Sequence, residues 1–167
     1  FYPIVENHHR DGMLRLSLAP APGPVGELQA LAEQYATRVL DALNYVGVLA
    51  VEFFQEGGRL IANEMAPRVH NSGHWTIEGA ETSQFENHLR AILGLPIGST
   101  ATVGYTAMVN LIGTIPDARD VLALPGAHLH LYGKSPAPNR KLGHVTLRAH
   151  DAATLQAEIA RLRSFIG

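Results

Sequence analysis

Two strand-like runs joined by a glycine turn constrain the fold of this chain more than any other segment. The first run, Val46 to Gln55, is rich in β-branched and aromatic residues, and the second, Arg59 to Met65, is shorter but similar. Gly57 and Gly58 lie between them, and glycine supplies the positive φ that a tight hairpin turn needs. The segment therefore predicts a β-hairpin.

The hairpin places two carboxylates on one side of the sheet. Folding about the glycines brings Glu52 opposite Asn63 or Glu64, and directly paired residues have Cβ atoms about 5 Å apart. Strand alternation predicts one shared face, made of Val48, Ala50, Glu52, Phe54, Leu60, Ala62 and Glu64. Paired carboxylates repel unless a cation lies between them, and Mg²⁺ is commonly held by carboxylates together with substrate phosphates. The alternatives are that one glutamate faces solvent or that a Lys or Arg neutralises the pair.

A polar loop follows the second strand. Pro67 prevents the strand from continuing, and the Asn-Ser-Gly sequence after it is typical of turns. Five polar side chains occupy the seven positions from 68 to 74, namely Arg68, His70, Asn71, Ser72 and His74. Arginine can hold an oxyanion in a bidentate grip, and histidine can donate to an oxyanion or move a proton near neutral pH. The loop therefore predicts anion chemistry.

A zinc hydrolase is a second interpretation of the same loop. His70 and His74 have the i, i+4 spacing of a helical zinc-binding pair, with Glu64 as a third polar group. The Asn-Ser-Gly sequence between the two histidines disfavours the helix that this site requires.

Composition limits the function classes. The chain has 167 residues, enough for a sizeable core, and 13 Lys and Arg against 15 Asp and Glu give a net charge of −2. This balance argues against binding nucleic acid or a membrane surface through charge. No apolar run approaches the roughly 20 residues of a membrane span. The chain has no cysteine, which fits a cytoplasmic, reducing location.

Several motifs carry a resemblance to a known family. The stretch NEMAPRVHNSGHWTIEGAETSQFENHLRAILGLPIG and the later YGK and RKLGHV segments resemble, in order, the ATP-grasp ligases, and most of all the 5-(carboxyamino)imidazole ribonucleotide synthetases. The paired glutamates alone would indicate only an ATP-grasp protein. The resemblance covers nearly the whole chain. It implies an α+β fold, with the C-terminal half of an ATP-grasp domain in residues 1–97 and a small α+β C-terminal domain in residues 98–167.

The resemblance also implies the ligands and the reaction. The family carboxylates the amine of 5-aminoimidazole ribonucleotide, using ATP, bicarbonate and Mg²⁺ (or Mn²⁺) and passing through carboxyphosphate. It implies a cytoplasmic homodimer whose N-terminal half is absent from this chain, so that the chain alone is expected to be an incomplete catalyst. Two alternatives remain, another ATP-grasp ligase with a different acceptor and a non-catalytic nucleotide-binding fragment.

The residue roles carried by the resemblance fall into three groups. The nucleotide and metal are expected at Glu52, Asn63 and Glu64, with Glu52 and Glu64 as the metal ligands. The catalytic set is Arg68, His70, Asn71 and Lys134. Substrate is expected at Arg68, Ser72, Lys134, Arg140 and Lys141. Gln84 and Glu86 are expected to lie near the polar loop.

Residues 132–141 form a basic loop that is rich in proline. Lys134, Arg140 and Lys141 place three cations within eight residues, which suits a phosphate or carboxylate but is more often a solvated turn. The resemblance of the YGK and RK segments to the family favours the anion site instead. The family usually has an arginine where this chain has Ala137 and a glycine where it has Asn139. Asparagine tolerates the left-handed conformation that glycine would adopt there.

The remaining segments alternate between strands and helices. A first hairpin over residues 1–19 has its turn at Asp11-Gly12, and a core helix follows from Val25 to Leu43. A helix capped by Thr82 or Ser83 is expected to bury Phe85, Leu89, Ile92 and Leu93. Beyond a boundary at residues 95–101, we predict strands at 105–112, 128–132 and 142–149, a short helix at 116–124, and a final helix capped by Asp151.

Overall fold

The computed structural model describes residues 1–166 and confirms the predicted α+β class. Its strands are β1 (Glu6–Arg10), β2 (Met13–Ala19), β3 (Ala50–Glu56), β4 (Arg59–Ala66), β5 (Tyr105–Ile112), β6 (Ala127–Leu131) and β7 (Lys141–Ala149). Its helices are α1 (Gly26–Leu43), α2 (Thr76–Gly79), α3 (Gln84–Ile92), α4 (Ala118–Leu122) and α5 (Ala152–Ile166). Within this described part, none of the helices is long and apolar enough to cross a membrane.

Five strands form one antiparallel sheet in the order β1-β2-β5-β7-β6. β2 pairs with β5, with Leu16 opposite Val109, so the sheet joins the first 19 residues to the C-terminal part of the chain. The division into two domains at residues 97 and 98 remains a prediction.

The sheet has one apolar face, which α4 and α5 cover. The buried core on this side contains Leu16, Leu18, Ala107, Val109, Leu111, Val145 and Leu147 from the strands and Leu155, Ile159 and Leu162 from α5. The Asp151 cap of α5 is confirmed, since its carboxylate accepts a hydrogen bond from the Thr154 N–H at 2.8 Å.

The opposite face of the sheet is polar although it is buried. Because side chains alternate along a strand, the residues between the core positions point the other way. They include Ser17, Thr106, Met108, Asn110, His144 and Thr146, all buried. Trp75 and α2 lie on this side, and Trp75 packs in a small cluster with Met108. The polar face therefore provides hydrogen-bonding side chains toward the segment that contains Trp75 and α2.

The predicted hairpin of β3 and β4 forms with Glu52 directly opposite Glu64. Gly57 and Gly58 have φ values of 54° and 78°, as the tight turn requires. The register shifts after Glu52, so that Phe53 lies opposite Ala62 and Asn63 is the extra residue of a β-bulge.

The bulge makes one prediction wrong. Beyond it, Leu60 and Ala62 turn to the other side of the hairpin from Glu64. They line a groove against α1, where Tyr35 packs on Phe53 with ring centroids 6.1 Å apart. An inserted residue reverses alternation, and the sequence carries no local signal for it.

The predicted buried side of α3 is also wrong. Leu89 and Leu93 are 56% and 67% exposed, and Phe85 and Ile92 are exposed as well. The helix instead buries two carboxamides, Gln84 and Asn87, which bond to nearby backbone and side-chain groups. Polar contacts with neighbouring loops, rather than apolar periodicity, decide which side of this helix faces inward.

Candidate functional site

The polar loop after β4 forms a short 3-10 turn, Asn71–Gly73, that continues into α2. We call the segment from His70 to His74 the site turn. His70 caps it in an extended conformation, and its Nδ1 accepts a hydrogen bond from the Ser72 N–H at 3.3 Å. Ser72 Oγ lies 2.8 Å from the same nitrogen. Nδ1 is therefore an acceptor, which leaves the proton of the neutral ring on Nε2.

Glu52 meets the site turn from β3. Its side chain is only 12% exposed, and its carboxylate lies 3.9 Å from His70 Nδ1. Asn7 of β1 also reaches this carboxylate, with its Nδ2 at 3.5 Å. The hairpin register places Glu64 directly opposite Glu52, as the sequence predicts.

Glu52 and Glu64 could provide only a few carboxylate oxygens as ligands for a metal ion. Among residues 1–166, no group of three or more His, Cys, Asp and Glu side chains gathers to hold a metal ion. A divalent cation at Glu52 and Glu64 would therefore take further ligands from water or from a bound phosphate, which is how Mg²⁺ is commonly held. The zinc interpretation is not supported, because His70 lies outside the turn of helix and His74 Nδ1 is engaged by Gln84.

Burial lowers the pKa of His70 below its usual value of 6.5. Glu52 and Glu64 oppose that shift, whereas Arg68 and Lys141 add to it. All four groups are therefore within electrostatic reach of the ring. The net effect is a neutral imidazole at physiological pH, with an Nε2–H that can donate to an anion.

Lys141 enters the site from the start of β7 and contacts the site turn directly. Its Nζ donates to Asn71 Oδ1 at 2.5 Å. Burial lowers its pKa, and nearby Lys134 lowers it further, while Glu52 raises it. A half-buried cation beside a second cation favours an anionic ligand, because the ligand would relieve their mutual repulsion.

The other predicted cations lie at the edge of this arrangement. Lys134 is exposed, with its Nζ 5.8 Å from the centre of the Tyr132 ring. Arg68 is exposed and donates to the Val69 carbonyl at 3.0 Å. Arg140 is exposed too, and it donates to the Ser135 carbonyl at 3.2 Å, within its own loop. Asn139 has a φ of 58°, so the left-handed conformation expected there is confirmed.

A row of histidines lies between the site turn and the sheet. His144 stacks on His130 with centroids 4.4 Å apart and lies 5.1 Å from the ring of His74. Tyr132 Oη lies 2.7 Å from His144 Nδ1, and His130 Nε2 lies 2.8 Å from a Glu78 carboxylate oxygen. Burial lowers the pKa of His144 to about 3 and that of His74 to about 4, and it raises the pKa of Tyr132 to about 12. Tyr132 therefore donates to a neutral His144.

Sequence patterns placed Gln84 only near the loop and did not identify Asn110 or His144, although all three contact the site turn or its neighbours. Gln84 bonds to both His70 and His74, as its expected position near the loop allows, whereas Glu86 is exposed and pairs with Arg90. Asn110 and His144 were not singled out. The signal that could have found them is a polar residue within an otherwise apolar strand, since such a group is buried only with a partner.

Two family models match the chain. The ATP-grasp domain covers residues 1–85, and the phosphoribosylaminoimidazole carboxylase C-terminal domain covers residues 106–158. The N5-carboxyaminoimidazole ribonucleotide synthase of Pseudomonas aeruginosa is 61% identical over 166 residues, which are 99% of this chain and 45% of the relative. That of Vibrio cholerae is 51% identical, over 99% of this chain and 43% of the relative.

Solved structures agree with these matches. The crystal structure of N5-carboxyaminoimidazole ribonucleotide synthetase from Thermus thermophilus superposes with a TM-score of 0.98 at 64% identity, covering 100% of this chain and 46% of that one. The Aspergillus clavatus enzyme in complex with ADP and 5-aminoimidazole ribonucleotide superposes with a TM-score of 0.92 at 38% identity, covering 99% and 46%. The chain thus spans about half the length of the relatives it matches.

Proposed function

Because the chain belongs to the ATP-grasp family, within the N5-carboxyaminoimidazole ribonucleotide synthetases, we propose that it supplies part of an ATP- and bicarbonate-dependent carboxylase. The acceptor is the amine of 5-aminoimidazole ribonucleotide, and the product is a carbamate used in purine biosynthesis. The relative bound to ADP and this ribonucleotide supports the choice of substrates. A cytoplasmic homodimer is part of the same proposal, and light scattering on the full-length protein would measure its mass.

The single observation that carries this proposal is the meeting of opposite charges around the site turn. Glu52 lies 3.9 Å from His70, Glu64 also acts on the charge of that ring, and Lys141 lies close enough to Glu52 for that carboxylate to raise the pKa of Lys141. The carboxylates suit a metal-bound nucleotide, and the cations suit bicarbonate and a ribonucleotide phosphate. Both substrates would then meet at His70 and Asn71.

The donor set fits Mg²⁺. Glu52 and Glu64 present carboxylate oxygens from directly paired positions, and Asn63 lies at the bulge beside them. Glu52 and Glu64 would hold Mg²⁺ together with the nucleotide, and the ion would offset the charge of the transferring phosphoryl group. Without a cation, the two carboxylates would repel each other and the nucleotide.

The chemistry assigned to the site begins with bicarbonate. A bicarbonate oxygen attacks the γ-phosphorus in line, and the bond from that phosphorus to the β-phosphate oxygen breaks. ADP is the leaving group, and carboxyphosphate is formed. Arg68, His70, Asn71 and Lys134 hold bicarbonate and carboxyphosphate, with the His70 Nε2–H as a neutral donor. Ser72, Arg140 and Lys141 hold the ribonucleotide and complete the cationic side.

Carboxyphosphate then releases carbon dioxide and phosphate beside the acceptor amine. The amine nitrogen forms a bond to the carbon, loses a proton and becomes the carbamate. The residues around the site turn contribute by orienting the two reactants and by excluding water, because free water would hydrolyse the mixed anhydride.

The test measures ADP release by the full-length protein with ATP, Mg²⁺ and bicarbonate, with and without the ribonucleotide. We expect strong stimulation by the ribonucleotide and its loss, on the order of 100-fold, in Glu64→Gln, since a charge that stabilises the transferring phosphoryl group is removed. Glu56→Gln is the matched control, because Glu56 is an exposed glutamate of the same hairpin that pairs with Arg59 at the turn and not with Glu52.

Three results would redirect the proposal. ATP turnover that is indifferent to the ribonucleotide would indicate an ATP-grasp ligase with another acceptor. No turnover in the full-length protein would favour a non-catalytic nucleotide-binding role. Equal loss in Glu64→Gln and Glu56→Gln would remove the special role of the acidic pair.

A further inference from the structure

Two buried carboxamides hold the site turn, Asn110 from the sheet and Gln84 from α3. We propose that both are positioning residues, which fix the turn and Lys141 in the geometry that receives the anionic substrates. The inference rests on the proposed function for its choice of substrate, but the geometry on which it depends does not involve any ligand.

Asn110 lies in the middle of β5 and is only 4% exposed. Its Nδ2 donates to the Leu14 carbonyl of the neighbouring strand at 2.9 Å and to Asn71 Oδ1 at 2.7 Å. Its Oδ1 accepts from Asn71 Nδ2 at 3.0 Å. A buried carboxamide is costly unless it is bonded, and here every bond either fixes Asn110 to the sheet or fixes Asn71 to Asn110.

The reciprocal pair also determines where Lys141 lies. Asn71 Oδ1 accepts from Asn110 Nδ2 and from Lys141 Nζ, so one oxygen joins the sheet, the site turn and the cation. An asparagine amide is free to flip unless its two ends are distinguished by partners. Asn110 distinguishes them, because it donates to Oδ1 and accepts from Nδ2. Without it, the single bond from the flexible Lys141 side chain would be left to orient the amide of Asn71.

Gln84 holds the start of the same turn. Its Oε1 accepts from the His70 N–H at 2.9 Å, and its Nε2 donates to the His70 carbonyl at 2.7 Å. The same Nε2 lies 2.9 Å from His74 Nδ1. A Cβ at Gly73 would approach Gln84 Oε1 to 2.5 Å, so the turn can pack on this side chain only with glycine there.

The expected consequence is selective. Asn110 and Gln84 act through Asn71, His70 and Lys141 on the anionic substrates. Glu52 and Glu64 are held by the pairing of β3 with β4, to which neither carboxamide contributes. Removing Asn110 should therefore raise KM for the ribonucleotide or bicarbonate about tenfold, the loss of roughly one hydrogen bond. KM for ATP should stay within about twofold.

The experiment uses the full-length protein and a double-mutant cycle. Asn110→Ala, Asn71→Ala and the double variant are compared for KM of each substrate and for kcat. If Asn110 acts through Asn71, the double variant is no worse than Asn71→Ala alone. Asn87→Ala is the matched control, because Asn87 is also 4% exposed and its carboxamide makes three hydrogen bonds, but to Tyr2 and Gly98.

A second readout needs no activity. Amide hydrogen exchange is measured for residues 70–75, and Asn110→Ala and Gln84→Ala should each speed it about tenfold, whereas Asn87→Ala should not. If the ribonucleotide proves not to be a substrate, the exchange result still tests whether the two carboxamides hold the turn. Should Asn110→Ala fail to fold, Asn110→Leu keeps about the size of the side chain without burying a charge.

The proposal is overturned by any of three results. One is unchanged exchange at residues 70–75 in both carboxamide variants. Another is an equal rise in KM for all substrates, which would indicate a general structural defect. The third is an effect of Asn110→Ala that multiplies with that of Asn71→Ala, because independent effects would mean that Asn110 does not act through Asn71.

Discussion

Acid should destabilise this fold through His144, and the size of the effect follows from its burial. His144 is 2% exposed, and its neighbours are Tyr132, His130, His74 and Lys141. Burial, followed by the nearby cations and histidines, lowers its pKa from 6.5 to about 3. Protonation of His144 is thus easier in the unfolded chain than in the folded one. The free energy of unfolding therefore decreases as the pH falls below 6.5, and this decrease is complete near pH 3.

The magnitude can be worked out for a convenient pH interval. Between pH 7.5 and pH 5, an unfolded histidine becomes largely protonated while the folded one stays neutral. Linkage then removes about 2 kcal/mol from the free energy of unfolding. A folded pKa one unit higher would change this figure little, because pH 5 would still lie above it. His144→Asn keeps an acceptor near Tyr132 Oη and removes the titration, so it should abolish about 2 kcal/mol of the pH dependence.

The assay is urea unfolding at the two pH values, followed by tryptophan fluorescence. Trp75 is the only tryptophan in the 167-residue chain and is almost fully buried, so its emission reports the site turn and the polar face of the sheet. His128→Asn is the control, since His128 lies on the adjacent strand but is exposed. The reasoning is refuted if His144→Asn keeps the wild-type difference between pH 7.5 and pH 5.

Two further predictions concern stability. Gly126→Ala should lower the free energy of unfolding by about 2 kcal/mol or more, because Gly126 has a φ of 70° and a Cβ there would collide with the Arg148 carbonyl. Thermal unfolding measures this loss. Gly12→Ala is the control for the cost of the positive φ alone, since Gly12 has a φ of 71° and open space around it. Leu147→Ala should cost about 2–5 kcal/mol by leaving a cavity on the apolar face. Leu122→Ala is its control at 60% exposure, and similar losses in both variants would contradict the assigned core.

Local sequence signals predicted much of the candidate site because several of its residues are close together in the sequence. Glu52 and Glu64 face each other across a hairpin whose turn is marked by Gly57 and Gly58. Since strand pairing through a short turn has few possible registers, the sequence alone brings the two carboxylates together. The family motifs then indicated the site turn and Lys141, which the structure joins through Asn71.

Long-range packing decided what the sequence did not show. Asn110 and Asn71 are 39 positions apart, and Lys141 and Asn71 are 70 apart, so no periodicity relates them. The amphipathic pattern of α3 predicted a buried apolar stripe, but Leu89 is exposed and Gln84 is buried. Helical periodicity identifies an element reliably, whereas the side that turns inward depends on partners elsewhere in the chain.

The two-faced sheet also protects the chain from pairing incorrectly. If β7 slipped by one residue against β5, His144 and Thr146 would enter the core, and Val145 and Leu147 would face the site turn. His144 would then lose its 2.7 Å contact with Tyr132 Oη, and an imidazole nitrogen buried without that partner costs about 1–3 kcal/mol. The contact between His144 and Tyr132 therefore favours the native register of β7 against β5, and an apolar residue at position 144 would remove this preference.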